Sequence, residues 1–505
     1  MAYITLQLPP GMAKPGTVYD ARGRWFHGNL VRWYEGALQP HGGWAKLQTS
    51  TPSVADVNFD GPARSMLAWR DNAQQPTLAA GTNAKLWMFR GGLLADITPA
   101  TFTAGPADAD IEEGQYGEGP FGGGAYGVGV EGVGTLVDAA SWQLDTYGQA
   151  LVACAAHDGR LVWKLNPSNT DVAVVVPNSP TSRAVVVTPE RFLVSLASGT
   201  SPDAERTIAW ADQDDPTDWT PTSVNQAGDF VLTTAGRILA GMRTNQETLI
   251  WTDTDLWRMR FIGGQFVYSI QPVSSTGAIS RHSMTVVDGR AFWMGARSFY
   301  VYDGFTQPIP CEVADYVFSD FNRFQRSKVV CYPESQFGEI TWHYPSQGSA
   351  ENDRYVTLNI RTGVWSVGKL ERTSGVDASV FGFPMKADSA GALYQHNISG
   401  GEYLNPAGAP LTPFVESGPV EIGDGFHTMT VREIIPDMEG VVAARLYTSF
   451  HPVDSEMPHD PITLTGPQPV PVRMSGRSVR LRLEGVTPGW RVGSFRLEVV
   501  AAGRR

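Results

Sequence analysis

The sequence predicts an all-β protein: an irregular β-propeller with a C-terminal β-sandwich-like domain and a glycine-rich insertion loop. Three observations carry this prediction. Short runs of β-forming residues recur along the 505 residues, and each run closes at Gly, Asn, Asp or Pro. Helical periodicity is nearly absent. The 54 glycines and 35 prolines suit the many tight turns that such a fold requires.

The propeller is predicted from a repeating unit in the central part of the chain. A hydrophobic strand is followed by a polar turn, and then by a strand that ends in an aromatic residue and Gly, Asp or Asn. Clear examples are Leu86–Gly91, Leu161–Asn166, Phe299–Gly304 and Leu393–Asn397. The spacing is mostly about 45 residues, the period of propeller blades, so roughly six to eight blades fit between Val18 and Tyr403. We expect seven tryptophans to pack between blades: Trp69, Trp87, Trp163, Trp210, Trp257, Trp293 and Trp342.

The chain divides into three predicted parts. Residues 1–20 form an N-terminal arm, residues 21–405 form the propeller, and residues 406–505 form the sandwich-like domain. The segment Pro406–Pro413 marks the second boundary. Beyond it, hydrophobic and charged residues alternate as they do in half-buried antiparallel strands. Met1–Gly16 resembles no secretory signal, and no apolar run is long enough to span a bilayer. We therefore expect synthesis in the cytoplasm and no membrane contact.

A glycine-rich insertion at about residues 100–140 interrupts the repeat. Within Gly114–Gly134, glycine occupies every second or third position, and Tyr116, Phe121 and Tyr126 lie between the glycines. Such a stretch does not form an interior strand, and it lacks the GK[ST] of a phosphate-binding loop. Two interpretations stay open: a docking arm with the three aromatic residues as anchors, or a plain surface loop.

The last hundred residues carry arginines on the polar face of the predicted strands. Arg480, Arg482 and Arg496 alternate with buried hydrophobic positions. One interpretation is a solvated strand face with ordinary charge pairs. The other is a docking surface for an acidic neighbour in a ring, or for DNA. The chain as a whole has a net charge of −12, which argues against tight binding of DNA but is compatible with a channel that DNA slides through.

The sequence contains no recognisable catalytic or metal-binding motif. Cys154, Cys311 and Cys331 are far apart and predict neither a disulfide framework nor a zinc site. GxSxG and HExxH are absent. The histidines and acids between His451 and Asp460 lie among prolines, which make a poor metal cage. The acidic run Asp212–Trp219 is interpreted as a turn at a blade edge. We predict no enzyme activity, no catalytic residue, no metal and no cofactor.

Several segments resemble one family of proteins. They are Asp20–Trp33 followed by Gly42–Trp44, then Ser275–Ser283, Glu339–Pro345 and Asn352–Val356, and finally Ser475–Leu483. Together they are similar to the tail nozzle, or packaged-DNA-stabilisation, proteins of short-tailed phages. None of the segments is diagnostic alone, but together they extend over most of the chain.

The resemblance implies a structural virion protein. Such nozzles form a ring, usually of six subunits, below an adaptor or portal ring. The ring encloses the DNA exit channel, retains the packaged genome without reading its sequence, and offers sites to tail fibres or a plug. The expected location is the virion tail. Two alternatives remain: a carbohydrate-binding or depolymerising propeller, and a hub or distal component of a long phage tail.

Overall fold

The fold follows from a computed structural model that describes residues 2–6, 8–111, 136–398, 401–421, 427–451, 456–485 and 489–503. The predicted fold class is confirmed: four-stranded antiparallel sheets are arranged around an axis, and a β-sandwich packs beside them. The short helices in the described ranges are one α-helix, Ala314–Ser319, and the 3-10 turns Ala204–Arg206, Gly264–Phe266 and Arg326–Lys328.

Seven four-stranded sheets form the blades within the described residues. We name the strands of a blade A to D from the axis outward. Blade 1 comprises Ser65–Arg70, Pro76–Gly81, Leu86–Arg90 and Leu93–Asp96; blade 2, Trp142–Tyr147, Ala150–Ala155, Leu161–Lys164 and Val174–Val175; blade 3, Ala184–Val187, Leu193–Leu196, Thr207–Trp210 and Gly228–Val231; blade 4, Ile238–Arg243, Thr248–Thr252, Leu256–Phe261 and Tyr268–Ser274. Blade 5 comprises Met284–Val287, Arg290–Met294, Phe299–Tyr302 and Thr306–Pro308; blade 6, Val330–Glu334, Glu339–Pro345, Asn352–Asn359 and Trp365–Lys369; blade 7, Ser374–Val376, Met385–Ala387, Leu393–Ile398 and, as strand D, Gly43–Lys46.

The A strands close a ring, because each one contacts the A strands of its two neighbours and blade 7 contacts blade 1. Large aromatic residues seal the gaps between blades, as predicted. Trp142 of blade 2 donates its indole N–H to the Thr82 carbonyl beside blade 1 (2.9 Å). Trp342 of blade 6 donates to the Ser283 carbonyl beside blade 5 (3.0 Å). Of the seven predicted tryptophans, five are buried, and Trp87 and Trp163 are half-buried.

The sandwich contains strands from both ends of the chain. One sheet comprises Ala2–Leu6, Val31–Tyr34, Ala37–Pro40, Thr428–Glu439, Val470–Gly476 and Arg491–Gly503. The other comprises Trp25–Asn29, Phe414–Ser417, Val420–Glu421, Val442–Ser449, Met457–Pro458, Ile462–Leu464 and Ser478–Glu484. We call them sheet I and sheet II, in that order. Two short pairs complete the strands: Gln48–Thr49 with Ala55–Asp56, and Asp110–Ile111 with Leu136–Val137.

The predicted boundary between residues 20 and 21 differs from the structure. Trp25–Asn29 and Ala37–Pro40 pair with C-terminal strands, and Val31–Tyr34 forms a hairpin with Ala37–Pro40, so the propeller begins at Gly43. The predicted N-terminal arm pairs as well, with Ala2 opposite Val499. The physical reason is that a strand pairs with partners hundreds of residues away, and its own sequence does not reveal which sheet it joins. The predicted glycine-rich segment 114–134 lies outside the described residues.

Candidate functional site

Two of the segments that carry the family resemblance meet at one place, because Asp20–Trp33 contains Arg32 and Glu339–Pro345 contains Glu339 and His343. Arg32 and His41 precede the closing strand Gly43–Lys46, while Glu339 and His343 lie on strand B of blade 6. All four side chains face the junction between blade 6, blade 7 and sheet I, where they are less than 10% exposed. These segments therefore supply buried charge to a structural junction.

Four side chains form the centre of this site, which we call the junction cluster: Arg32, Glu334, Glu339 and Lys386. Arg32 Nη2 donates to Glu334 Oε2 at 3.0 Å, and its Nε lies 3.2 Å from Glu339 Oε2. Lys386 Nζ contacts Glu334 Oε1 from strand B of blade 7. Because sheet I supplies Arg32 and two blades supply the rest, the cluster ties three sheets together.

The two carboxylates of the cluster differ in protonation. Burial alone would raise the pKa of Glu334, but Lys386 and Arg32 outweigh it and hold the pKa well below the ordinary value. Burial raises the pKa of Glu339 to about 7; attraction to Arg32 offsets part of this rise, and repulsion from Glu334 adds to it. Glu334 therefore stays ionised and is the counter-ion of Lys386 and Arg32, whereas Glu339 titrates near neutral pH.

Two histidines beside the cluster are held neutral. Burial, followed by repulsion from Lys386 and Arg372, lowers the pKa of both His343 and His396 well below the ordinary value. His343 Nδ1 lies 3.2 Å from the Leu370 carbonyl, which can only accept, so Nδ1 carries the proton. His343 Nε2 then accepts from the Tyr332 hydroxyl at 2.6 Å.

His396 is fixed in a similar way. Its Nε2 accepts from Arg372 Nε at 3.1 Å, and its ring stacks on Trp44 with 5.0 Å between centroids. Trp44 belongs to the Gly-Gly-Trp segment of the closing strand. These rings therefore serve as oriented packing groups, since each is buried and is held by a hydrogen bond to at least one ring nitrogen.

A second feature lies on the propeller axis. The A strands enclose a cavity of about 400 Å³, with Met66, Asp145 and Arg243 among its lining residues. We call the face that carries the D-to-A connections and the B–C hairpins the DA face. A cavity of this size suits a small ligand at most. Duplex DNA therefore does not pass along the axis of a single subunit.

The two strands at the base of the insertion cross the DA face near the axis. Gln325, just before blade 6, both donates to and accepts from the backbone of Ala109 (3.1 and 3.0 Å). Ala139 N–H donates to Ser327 Oγ at 3.1 Å. Lys328 contacts Asp108. The insertion therefore begins and ends above the centre of the DA face.

The arginines predicted as docking residues lie on different sheets. Arg480 and Arg482, on sheet II, both pair with Glu416, and they pair with Glu456 and Glu484 respectively. Carboxylates of the same chain thus neutralise both charges, as the interpretation of a solvated strand face expects. Arg496 lies exposed on sheet I. The docking role of all three remains a prediction, and Tyr116, Phe121 and Tyr126 lie outside the described residues.

The acidic turn and the three cysteines, the other candidates for chemistry, lie in structural settings. Asp215 Oδ1 accepts from Thr217 N–H at 3.0 Å, and Trp219 closes the acidic turn by donating to the Pro216 carbonyl at 2.9 Å. This confirms the predicted turn. Burial raises the pKa of the Cys154 and Cys311 thiols to about 12 and that of Cys331 well above the ordinary value. In the described ranges no group of three His, Cys, Asp or Glu side chains is placed to hold a metal.

Sequence reasoning missed Glu334, Arg372 and Lys386. The available signal was a lone charge inside a hydrophobic stretch, as in Phe383–Ala387. A charge in such a position is tolerated when a partner neutralises it. The sequence alone does not show which residue that partner is, because the partners lie on other sheets.

Comparisons with known proteins identify no family for this chain. No protein-family model and no curated protein matches this sequence. Among solved structures, virginiamycin B lyase from Staphylococcus aureus is 6% identical with a TM-score of 0.42, and the match covers 70% of this chain and 99% of that one. The Cps50 (Swd1) β-propeller domain from Myceliophteria thermophila is 8% identical (TM-score 0.37; 71% and 100% covered), and BamB from Moraxella catarrhalis is 10% identical (TM-score 0.36; 67% and 98% covered). At these identities and TM-scores, none of these matches carries an inference about this chain.

Proposed function

We propose that this chain is a structural virion protein that forms the nozzle ring of a short phage tail. In this role it encloses the DNA exit channel, retains the packaged genome and provides docking sites for fibres or a plug. The observation that carries the proposal is that two of the nozzle-like segments, Asp20–Trp33 and Glu339–Pro345, supply Arg32 and Glu339 to the junction cluster. A sequence pattern that places a buried ion network between two domains fits a structural protein better than an enzyme.

Continuity between the propeller and the sandwich supports a mechanical role. Trp342 and Trp365 of blade 6 belong to the same hydrophobic core as Val415, Val431 and Leu481 of the sandwich. Asn29 Oδ1 also accepts the Lys369 amide at 2.7 Å across this contact. A shared core and a buried ion network resist relative movement of the two parts, as a ring under the pressure of packaged DNA requires.

The charge and the narrow axis support a channel between subunits. A ring of subunits encloses a much wider opening than the axial cavity of one propeller, and closed rotational symmetry builds such rings. The net charge of −12 makes adhesion to passing phosphates unfavourable. The proposed partners are therefore copies of this chain, usually six, with an adaptor or portal ring above and fibres or a plug below.

A non-enzymatic role agrees with the chemistry of the described residues. His343 and His396 are buried and held neutral, and the three cysteine thiols have raised pKa values, so neither group provides an activated nucleophile. None of the described helices has the length and apolar character needed to cross a bilayer. We propose the virion tail, assembled in the host cytoplasm, as the location.

A nonsense mutation in the gene of this chain tests genome retention. We expect the mutant particles to fill with DNA and then release it, so that nuclease digests DNA that wild-type particles protect. Supplying the chain in trans should restore protection. Full protection in the mutant would contradict the nozzle role. If protection is intact and only adsorption to cells is lost, the carbohydrate-binding alternative is favoured instead.

A further inference from the structure

An arginine-lined pocket opens on the DA face beside the base of the insertion. Its volume is about 280 Å³, and its walls come from the connections before blades 2, 4, 5 and 6 and from two B–C hairpins. The charged residues that line it are Arg237, Arg281, Arg323, Arg326, Asp138 and Asp253. Four arginines against two aspartates leave two net positive charges in a chain that is acidic overall.

The arginines of the pocket differ in whether a carboxylate neutralises their charge. Arg237 Nη2 pairs with Asp138 Oδ2 at 2.9 Å. Within the described residues, Arg281 donates to two backbone carbonyls, those of Leu239 (2.6 Å) and Arg183 (3.2 Å). Burial, together with repulsion from Arg237, lowers the pKa of Arg281 to about 10. An anion in the pocket would offset the cost of burying the Arg281 charge and would reduce its repulsion from Arg237.

Arg323 and Arg326 provide the available charge. Arg323 is exposed and Arg326 is half-buried, and neither has an ion-pair partner among the described residues. Phe324, between them in sequence, leaves 40% of its surface exposed. Guanidinium groups bind carboxylates through paired hydrogen bonds, and an exposed aromatic side chain beside arginine is typical of protein-binding surfaces.

We propose that this pocket binds an acidic peptide segment of a partner protein, with a carboxylate seated among the arginines. The volume is slightly below the range of roughly 300–1,000 Å³ typical of small-molecule sites, so an Asp or Glu side chain fits better than a whole cofactor. A nucleic acid is disfavoured, because the positive charge is confined to one pocket and does not follow a stripe along which a backbone could lie. The inference does not depend on the virion role.

The test measures binding to the full-length chain by fluorescence anisotropy at fixed ionic strength. The probe is a labelled oligoglutamate peptide, and an oligoglutamine peptide of equal length is the control. We expect saturable binding of oligoglutamate only. The double variant R323Q/R326Q should bind about tenfold or more weakly, because it loses two charge-assisted contacts. The matched variant R361Q removes an exposed arginine from a C–D hairpin on the opposite face, and it should leave affinity unchanged.

A gain of affinity separates a binding role from a structural one. Asp253 Oδ1 accepts the Arg237 amide at 2.9 Å, and an asparagine oxygen keeps this bond. D253N removes one negative charge from the pocket and should bind oligoglutamate more tightly. Absence of oligoglutamate binding, equal loss in R361Q and the double variant, or weaker binding by D253N would each overturn the proposal. Stronger binding of inorganic phosphate or of a single-stranded oligonucleotide would overturn it in favour of a phosphate site.

Discussion

At the residue scale, the two carboxylates of the junction cluster have opposite energetic roles. Glu334 contacts both Lys386 and Arg32 and accepts from Asn397 Nδ2 at 3.2 Å. Among the described residues Glu339 forms its ion pair with Arg32, and burial raises its pKa despite the attraction of Arg32 and Lys386. A buried ion pair loses stability when one partner is removed, because the other charge is left uncompensated.

This contrast predicts different results for two isosteric substitutions. Glu334→Gln leaves Arg32 and Lys386 without their ionised partner and should lower the free energy of unfolding by about 3–5 kcal/mol. Glu339→Gln keeps the shape and removes a costly charge, so it should be neutral or stabilising at pH 8. Chemical denaturation of both variants provides the comparison. Equal destabilisation of the two would show that the carboxylates are not differentiated as described.

The neutral histidines predict acid sensitivity. His41, His343 and His396 remain neutral in the fold, whereas in the unfolded chain they take up protons below pH 6.5, so stability falls with acidification. Glu339 acts in the opposite direction: its folded pKa is raised, so its contribution is complete below about pH 4.5 and is lost as pH rises through about 7. Because three histidines oppose one glutamate, their effect on the free energy of unfolding is the larger one, and the net stability falls with acidification.

Melting temperature should therefore fall between pH 7 and pH 5. Each net proton contributes on the order of 1.4 kcal/mol per pH unit. The Glu339→Gln variant should fall more steeply, because it lacks the opposing group. A melting temperature that is constant or rises on acidification would contradict this picture of the junction.

At the element scale, the closing strand Gly43–Lys46 depends on close approach of two backbones. A Cβ on Gly43 would lie 2.3 Å from the carbonyl carbon of Gly401, and one on Gly42 would lie 2.5 Å from Cα of Asn397. Glycine is therefore required at both positions before Trp44, because a Cβ there would clash with the neighbouring backbone. The two glycines let the N-terminal strand pair with strand C of blade 7 and complete the ring of blades.

Gly43→Ala should accordingly weaken the closure of the propeller. We expect a loss of about 1–3 kcal/mol, as in overpacked sites, because backbone must move to make room. Limited proteolysis should then cut first within blade 7. Gly348→Ala is the matched control, since Gly348 has open space around its Cβ position and no left-handed backbone. If Gly43→Ala is as stable as this control, the strand closes by another means.

Local elements were predictable, but their pairing was not. Strands such as Leu86–Arg90 and Phe299–Tyr302 follow from short β-rich runs that end in turn residues. The assignment of the hairpin Val31–Tyr34 and Ala37–Pro40 to the sandwich did not follow, because it joins sheet I where Leu38 lies opposite Val492, near the other end of the sequence. The junction cluster was hidden for the same reason: Arg32 and Glu334 are in contact although 302 residues separate them in sequence.

At the scale of the whole molecule, the two chain ends are joined in one sandwich. Ala2–Leu6 pairs along Arg491–Gly503, and Trp25–Asn29 pairs with Phe414–Ser417. The sandwich therefore forms only when both ends are present, and the junction cluster fixes it to blades 6 and 7. Such a unit presents constant surfaces to its neighbours, as a closed ring requires.

The copy number of this chain in the particle is the most direct test of the proposed nozzle ring. Quantitative peptide mass spectrometry on purified particles from the source would scale this chain to the major capsid protein. We predict about six copies per particle, or a small multiple of that number. Absence of the chain from the particles would contradict the structural role.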